Sequence, residues 1–378
     1  MDHHEAVGGA RVRLHNREES RLLLIPFAPG IGDMVMMEPL LRAVMNHRPE
    51  WKVTMVARQY AADLLEPGDY RLVSPFYFVT RAPLPLRPLD RLIPRRFIAR
   101  ALASAASMEL GPFDRVINLF SIWENHTPFR RWWTPQWPPL PEVCHTLDLL
   151  ADYLEGQIGS KIPGDERSPR VTLFPEAQRW ADSYLARERP SCRPLVSLVV
   201  SAVNSLKLWT APQWAELNDR LVDLGYDTLL IAPRSHLHAR QLRERCKFGP
   251  LWPQVGVRQM SALLARSDVV VGIDTGPLHV AAAIGVPWVG LFGASNPDLI
   301  GPYDRRKGRA LVARFPRPDS CAKCWLAFKN REQPCATLPA SGCTALLSVQ
   351  EVLEAIEDVV RSGTGFASPR WPRSHDRR

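Results

Sequence analysis

The sequence predicts an α/β protein built from two doubly wound, Rossmann-like domains that face a central cleft. Short apolar runs alternate with helical stretches, and this alternation occurs twice along the chain. The length of 378 residues exceeds what one hydrophobic core usually serves. We therefore expect domains at 1–190 and 191–348, a Cys-rich insertion at 319–345, a closing helix at 349–362 and a disordered basic tail at 363–378.

The first half opens on a strand, a loop, a helix and a second strand. Residues 22–25 (LLLI) are a continuous apolar run, which is typical of a strand buried on both faces of a parallel sheet. A turn rich in Gly and Pro follows, and apolar residues then fall on one face of a helix over 34–45. Residues 52–57 and 116–119 predict two further strands. The unit should be a right-handed crossover with its loop at the carboxyl edge of the sheet.

The second half repeats the alternation, beginning with a buried-type strand at 195–200 (LVSLVV). The elements predicted after it are, in order, a helix at 214–224, a strand at 228–232, a helix at 260–266, a strand at 268–273, a helix at 277–284 and a strand at 288–292. This pattern is typical of a parallel sheet with helices on both faces, which binds ligands at its carboxyl edge. The closing helix could return to the first domain.

Charge and composition restrict the class of partner. The chain carries 48 Lys and Arg against 39 Asp and Glu, a formal charge of +9 at pH 7. This excess favours an anionic partner such as a phosphorylated substrate or a phospholipid surface. No recognisable nucleic-acid module is present, so we do not expect nucleic acid as a partner. No run of about 18 apolar residues predicts a membrane span, and residues 1–21 lack the apolar stretch of a secretory signal. We expect a cytoplasmic protein.

The strongest chemical signal lies where the last-but-one predicted strand meets its helix. Asp274, Thr275 and Gly276 form the turn, and Pro277 suits the first helical position. The exposed amides of a helix N-terminus are a natural seat for phosphate, and His279 in the first helical turn could donate to an anion. The alternative is an ordinary turn in which Asp274 or Thr275 only caps the helix.

Two further segments follow predicted strands at the carboxyl edges of the sheets. Gly32 allows close contact with a ligand, and Asp33 beside it could accept a proton from an attacking hydroxyl, unless Asp33 only caps its helix. Ser201 and Lys207 follow the first strand of the second half, where a lysine suits a diphosphate, unless it is an ordinary surface lysine. A dinucleotide fingerprint is excluded, because Val35 stands where its third glycine belongs.

Together these segments resemble the bacterial lipopolysaccharide heptosyltransferases, glycosyltransferase family 9. Residues 32–43 (GDMVMMEPLLRA) are similar to the opening motif of the family, 201–214 to its central motif, and 274–279 and 291–303 to its C-terminal signature. The resemblance covers nearly the whole chain. It implies a GT-B fold, with acceptor binding in the first domain and nucleotide-sugar binding in the second. It also implies inverting, metal-independent transfer of a sugar, typically heptose from a donor such as ADP-heptose, to lipopolysaccharide core or a similar anionic glycan.

The resemblance implies roles by position. Asp33 would be the general base, and Lys207 would neutralise the diphosphate. The other donor-binding residues would be Ser201, Asp274, Thr275, Gly276, Leu278 and His279, with phosphate held by the amides of Thr275, Gly276 and Leu278. The chain contains no Asp-x-Asp motif, as expected where a lysine and a helix terminus replace a divalent cation. Phe27 and Pro29 depart from the family pattern in the first loop, so a non-catalytic scaffold that binds nucleotide sugars is an alternative.

Basic and Cys-rich segments predict the acceptor side and a metal. The acceptor-binding candidates are Gly32, Arg95, Arg96, Arg130 and Arg131, because basic segments can hold an anionic glycolipid or lie on the inner leaflet of a membrane. Four cysteines spaced C-x2-C-x10-C-x7-C could bind structural Zn or Fe, unless they are reduced packing cysteines; they are Cys321, Cys324, Cys335 and Cys343. This region loosely resembles the iron-binding region of protein-modifying members of the same enzyme group, so a protein-modifying heptosyltransferase is a further alternative.

Overall fold

The protein folds around two parallel β-sheets, one from each half of the chain. The structure is a computed structural model, and it describes residues 20–26, 30–73, 112–119, 144–189, 193–313 and 342–362. We call the parts before and after residue 190 the first half and the second half. The predicted domain boundary, between residues 190 and 191, falls within residues 190–192, which lie outside the described ranges.

The first half contains a four-stranded sheet. Its described elements are β1 (Ser20–Ile25), α1 (Ile31–His47), β2 (Trp51–Val56), β3 (Tyr70–Val73), β4 (Arg115–Asn118), α2 (Thr146–Ile158) and α3 (Pro175–Glu188). The strands are all parallel and lie in the order β3-β2-β1-β4. The apolar run of β1 is central, and Leu22, Leu23 and Leu24 are fully buried, which stabilises the fold by about 1.5–3 kcal/mol for each side chain.

The second half contains a five-stranded sheet. Its described elements are β5 (Leu195–Val199), α4 (Ala211–Asp223), β6 (Asp227–Ile231), α5 (Leu237–Arg245), α6 (Val257–Leu264), β7 (Val269–Ile273), α7 (Gly276–Ala283), β8 (Trp288–Phe292), α8 (Pro297–Ile300), β9 (Gly308–Val312) and α9 (Val349–Ser362). These strands are also all parallel, in the order β6-β5-β7-β8-β9. Short 3₁₀ turns lie at Gln59–Asp63, Ser205–Lys207 and Cys343–Leu346.

One apolar cluster runs without a break from the first half into the second. It contains Leu22 and Met37 from the first half together with Val199 and Leu278 from the second. A second cluster covers the other face of the second sheet and includes buried residues of α4, β7 and α9. Helix α9 packs on β7, β8, β9 and α4, so the closing helix lies on the second sheet instead of returning to the first half.

Helix α3 precedes the second half in sequence but packs against its helix α6. Two ion pairs reinforce this contact: Arg266 Nε lies 2.6 Å from Asp182 Oδ1, and Arg258 Nη1 lies 3.1 Å from Glu176 Oε1. Both pairs are partly exposed, so each contributes about 1 kcal/mol or less. The two halves are therefore held together through α3 as well as through the shared apolar cluster.

Candidate active site

The order of the strands identifies one position in each sheet where a ligand site is expected. In the first sheet the chain runs from β1 to β2 and β3 on one side, and β4 then pairs with the other side of β1. In the second sheet β6 and β7 flank β5 in the same way. Loops that leave neighbouring strands in opposite directions open a crevice at the carboxyl edge. The loop after β1 leads to Asp33, and the loops after β5 and β7 carry Lys207 and Asp274.

On the side of the first half, the site is the start of α1. The Gly30 amide donates a 2.7 Å hydrogen bond to Asp33 Oδ2, so Asp33 does cap its helix. A Cβ atom at Gly30 would lie 2.5 Å from that same oxygen, so a larger residue there would displace the Asp33 carboxylate from this position. As a whole residue, Asp33 is partly buried. Capping and proton acceptance are therefore compatible in one side chain.

On the side of the second half, a buried carboxylate contacts a lysine and a histidine. Lys207 Nζ lies 2.5 Å from Asp274 Oδ2, and His279 Nε2 lies 3.8 Å from Asp274 Oδ1. Asp274 is only 4% exposed and His279 6%, whereas the Lys207 side chain keeps 17% of its surface exposed. Asp274 therefore faces the interior with both oxygens, and Lys207 is the member of the group that reaches the surface.

The start of α7 lies beside this group. Thr275 is the N-cap residue in an extended conformation, and its hydroxyl makes no capping hydrogen bond, so the turn is not the ordinary Thr-capped one. The Leu278 amide, which we expect to hold phosphate, instead donates to the Thr275 carbonyl at 3.1 Å. This hydrogen bond closes the first turn of the helix. The amides of Thr275 and Gly276 precede it and remain the candidates for phosphate.

The two helix starts touch each other directly. A Cβ atom at Gly32 would lie 2.9 Å from His279 Cδ2. A Cβ atom at Gly276 would lie 2.5 Å from Ile31 Cβ and 3.0 Å from the Gly32 amide nitrogen. The N-termini of α1 and α7 are thus in contact through glycines, and the structure brings Asp33, Lys207 and residues 274–279 together.

Burial and charge shift the pKa values of the two aspartates in opposite directions. Burial raises the pKa of Asp33 above its ordinary value, although the Gly30 amide, His279 and Lys207 partly oppose the rise. Burial alone would also raise the pKa of Asp274, but Lys207 and His279 together hold it well below its ordinary value. Carboxyl groups whose pKa values are pushed apart in one cleft are typical of separate catalytic roles. Asp33 is suited to accept a proton, and Asp274 to remain an anion.

Three residues near the site were not predicted from the sequence. Tyr60 follows β2 at the carboxyl edge, and burial raises the pKa of its phenol to about 12, which Arg58 opposes and the charge of Asp33 reinforces. The Tyr60 phenol is therefore neutral, and it lies within the electrostatic influence of the Asp33 carboxylate. His145 lies at the start of α2, and burial lowers its pKa to about 4. Tyr60 and Arg58 could have been predicted from the sequence, because both closely follow a predicted strand.

The other predicted site residues are placed as follows. Ser201 is partly buried two residues beyond the end of β5. Cys343 is 6% exposed and packs in the second apolar cluster. Within the described ranges, no three His, Cys, Asp or Glu side chains are grouped so as to hold a metal ion. The predicted residues that lie outside those ranges are Arg95, Arg96, Arg130, Arg131, Cys321, Cys324 and Cys335. Every described helix is too short or too polar to cross a lipid bilayer.

Solved structures of known proteins share this fold. The crystal structure of a family 9 glycosyl transferase from Veillonella parvula DSM 2008 aligns with a TM-score of 0.64, covering 91% of this chain and 98% of that one at 20% identity. E. coli heptosyltransferase WaaC with ADP aligns with a TM-score of 0.56, covering 90% and 99% at 15% identity. At such identities these likenesses show the fold alone, and they confirm the predicted GT-B architecture.

Sequence comparison agrees with the fold. Lipopolysaccharide heptosyltransferase 1 of Escherichia coli K12 is 32% identical over 113 residues, which are 29% of this chain and 34% of the relative. The chain spans about a third of the length of the first curated relatives it matches. The family model described as glycosyltransferase family 9 (heptosyltransferase) matches residues 128–327, more than half of the chain, and this range includes Lys207 and residues 274–279. The chain belongs to glycosyltransferase family 9.

Proposed function

We propose that this protein is an inverting, metal-independent glycosyltransferase. Its donor would be a nucleoside diphosphate sugar, with ADP-heptose as the first choice, and its acceptor lipopolysaccharide core or a similar anionic glycan. The observation that carries the proposal is the contact between the two helix starts, which brings Asp33 of one half close enough to Lys207 and His279 of the other for their charges to act on its carboxyl group. Family membership and the names of the relatives support heptose and ADP.

Asp33 would act as the general base. The acceptor hydroxyl would lose its proton to Asp33 as its oxygen attacks the anomeric carbon, and the bond from that carbon to the diphosphate would break in the same step. A single displacement inverts the configuration at the anomeric carbon. The raised pKa of Asp33 makes it a stronger base than an ordinary carboxylate, and general base catalysis is commonly worth 10²–10⁴-fold.

The second half would stabilise the departing diphosphate. Lys207 would contribute a positive charge, and the amides of Thr275 and Gly276 would contribute the dipole of the α7 N-terminus. Donors fixed in advance where negative charge develops are usually a large term in catalysis. Because these groups supply positive charge at the leaving group, they could replace the divalent cation that other transferases use there.

Asp274 would act on the donor through its neighbours. We expected it to bind the donor, but its buried oxygens face Lys207 and His279, and a carboxylate beside a diphosphate would repel it. We propose that Asp274 orients Lys207 and His279 toward the leaving group. The acceptor would then approach from the first half. It would pass Gly32 and the carboxyl edge of the first sheet, where Arg58 and Tyr60 follow β2.

The charge and the cysteines support two further parts of the proposal. The formal charge of +9 and the arginines at 81–100 and 130–131 would attract the anionic acceptor and the inner leaflet of the cytoplasmic membrane. Four thiolates fit the preferences of Zn or Fe, so we propose a structural metal held by Cys321, Cys324, Cys335 and Cys343. Metal analysis of the purified protein, with Cys324→Ser as the comparison, tests that site; equal metal content in both would exclude it.

A transfer assay with a panel of donors tests the function. ADP-heptose, other ADP-sugars and UDP-sugars are each incubated with the protein and a truncated lipopolysaccharide core that lacks heptose, in the presence of EDTA. We expect one added heptose by mass spectrometry, with the anomeric configuration opposite to that of the donor by NMR. Loss of turnover with EDTA that added Mg²⁺ or Mn²⁺ restores would contradict metal independence, and retained configuration would contradict a single displacement. Nucleotide binding without transfer from any donor would favour the scaffold.

A further inference from the structure

A second contact between the halves lies at the start of α2. His145 is the N-cap residue of α2, and its Nδ1 accepts a 3.1 Å hydrogen bond from the Leu147 amide. The proton of the neutral imidazole is therefore on Nε2. Nε2 lies 2.9 Å from the Gly301 carbonyl oxygen, to which it donates. One ring thus caps a helix of the first half and binds the main chain of the second half.

Tyr303 makes the matching contact in the other direction. Its hydroxyl donates a 2.8 Å hydrogen bond to Asp148 Oδ1, which lies in the first turn of α2. Its ring packs edge-on against the His145 ring, with the ring centroids 5.1 Å apart. We call the contacts of His145 and Asp148 with Gly301 and Tyr303 the clasp.

Both sides of the clasp are firmly held. Arg167 binds Asp148 at 3.1 Å, and it also binds Asp152 at 2.7 Å and Glu155 at 3.0 Å, so it contacts three successive turns of α2. In the second half the Gly301 amide donates to the Pro297 carbonyl at 2.8 Å, and a Cβ at Gly301 would lie 2.6 Å from that oxygen. Because both sides of the clasp are held by their own neighbours, the clasp keeps the two halves at a fixed distance from each other.

We propose that His145 and Tyr303 are positioning residues, which hold the second half at the distance from α1 that the proposed transfer reaction requires. The inference rests on the proposed function, because that reaction needs Asp33 from one half and Lys207 from the other. The donor-binding groups all lie in the second half, so the clasp has no part in donor affinity. Loosening it lowers the fraction of molecules with a correctly placed base, which lowers kcat and leaves donor binding unchanged.

Two variants weaken the clasp but keep the packing of the ring at position 303 and the cap of α2 at position 145. Tyr303→Phe keeps the ring and removes the hydroxyl that binds Asp148. His145→Asn keeps an oxygen that can cap α2, since asparagine is a favourable N-cap residue, but it is too short to reach Gly301. His145→Gln restores that reach. We expect kcat to fall about three- to tenfold for the first two variants, as for the loss of one hydrogen bond, and less for His145→Gln.

The matched control is Tyr70→Phe, which removes a 2.7 Å hydrogen bond from Tyr70 to the Glu66 carbonyl within the first half. Its kcat should stay at the wild-type value. The dissociation constant for the nucleoside diphosphate, measured by calorimetry, should be unchanged in every variant. Equal kcat in Tyr303→Phe and Tyr70→Phe, or a loss of nucleotide affinity that equals the loss of kcat, would overturn the positioning role.

Hydrogen exchange separates a failure of this inference from a failure of the proposed function. Peptides that cover 144–150 and 297–306 should exchange faster in Tyr303→Phe than in Tyr70→Phe, because the halves are less firmly joined. If the wild-type protein transfers no sugar, the proposed function fails and the exchange data still decide the clasp. Unchanged exchange in both peptides would overturn it.

Discussion

The starts of α1 and α7 are built alike but have opposite electrostatic properties. Each follows a buried parallel strand, and each contains a glycine that contacts the other. At α1 the Asp33 side chain binds the Gly30 amide and so occupies the helix N-terminus with its own negative charge. At α7 the Thr275 side chain makes no cap, and the nearest carboxylate, Asp274, is directed to Lys207 and His279.

One local architecture thus supplies two kinds of chemistry. A helix N-terminus capped by a partly buried carboxylate presents a base. A helix N-terminus without a side-chain cap, backed by a lysine, presents a site for an anion. The pKa values follow the same division, raised for Asp33 and lowered for Asp274. In the proposed reaction the acceptor is deprotonated at one helix start and the diphosphate departs at the other.

The largest effect should come from removing the base. Asp33→Asn keeps the size of the side chain and an oxygen that can cap α1, but it cannot accept the proton of the acceptor hydroxyl. We expect kcat to fall about 10²–10⁴-fold while the dissociation constant for the nucleoside diphosphate stays within about twofold. Steady-state kinetics and calorimetry measure the two quantities.

Asp69→Asn is the matched control for this variant. Its carboxylate pairs with Lys52 at 3.0 Å and is 82% exposed, so kcat should not change. Full activity in Asp33→Asn would remove Asp33 from the mechanism and leave it as a helix cap.

A smaller effect is expected from removing the cation at the other helix start. Lys207→Ala should raise the dissociation constant for the nucleoside diphosphate about 10- to 100-fold, since a hydrogen bond to a charged group is worth about 1.5–3 kcal/mol. Lys161→Ala removes a lysine whose side chain is 90% exposed and should leave that constant unchanged. Equal nucleotide affinity in the two variants would contradict the role of Lys207.

The smallest effect is a difference in how the two aspartates make stability depend on pH. The folded-state pKa of Asp274 is lowered, so its stabilisation is full above the unfolded value of about 3.8 and is lost as the pH falls through the lower folded value. The folded-state pKa of Asp33 is raised, so the cost of ionising it appears as the pH rises from about 3.8 through the folded value.

Urea unfolding between pH 3 and pH 7 checks these signs. Relative to the wild type, Asp33→Asn should gain stability, measured as the free energy of unfolding, as the pH rises over this range. Asp274→Asn should lose stability at neutral pH, and its deficit should shrink below pH 4. Parallel curves for the two variants would contradict the opposite pKa shifts.

The central strands could be predicted from sequence because they are continuous apolar runs. Residues 22–25, 195–200 and 268–273 correspond to β1, β5 and β7 within a residue or two. Strands β3 and β9 were missed, because they lie at sheet edges and most of their residues are partly exposed. An edge strand pairs with only one neighbouring strand and keeps part of its surface exposed. Its sequence therefore contains no continuous apolar run.

The site could be predicted only in part, for a related reason. Glycines and polar residues that follow strands identify the carboxyl edge, and this rule found Asp33, Lys207 and residues 274–279. It gives no information on which groups pair with one another. The pairing of Lys207 with Asp274 spans 67 positions and depends on β5 and β7 lying side by side in the second sheet. The pairing of His145 with Gly301 spans 156 positions and depends on how the two halves pack. The burial that shifts the pKa of Asp33 depends on the same packing.

The glycine contact between α1 and α7 limits how this cleft can be altered. The atoms that meet at Gly276 belong to the main chain and to the branched carbon of Ile31, so no rotation of a side chain can make room for one added methyl group. In the proposed reaction, a change of preference for another sugar or acceptor must therefore arise in the loops around the junction. Substitutions meant to alter ligand preference should be made in those loops, with both glycines left unchanged.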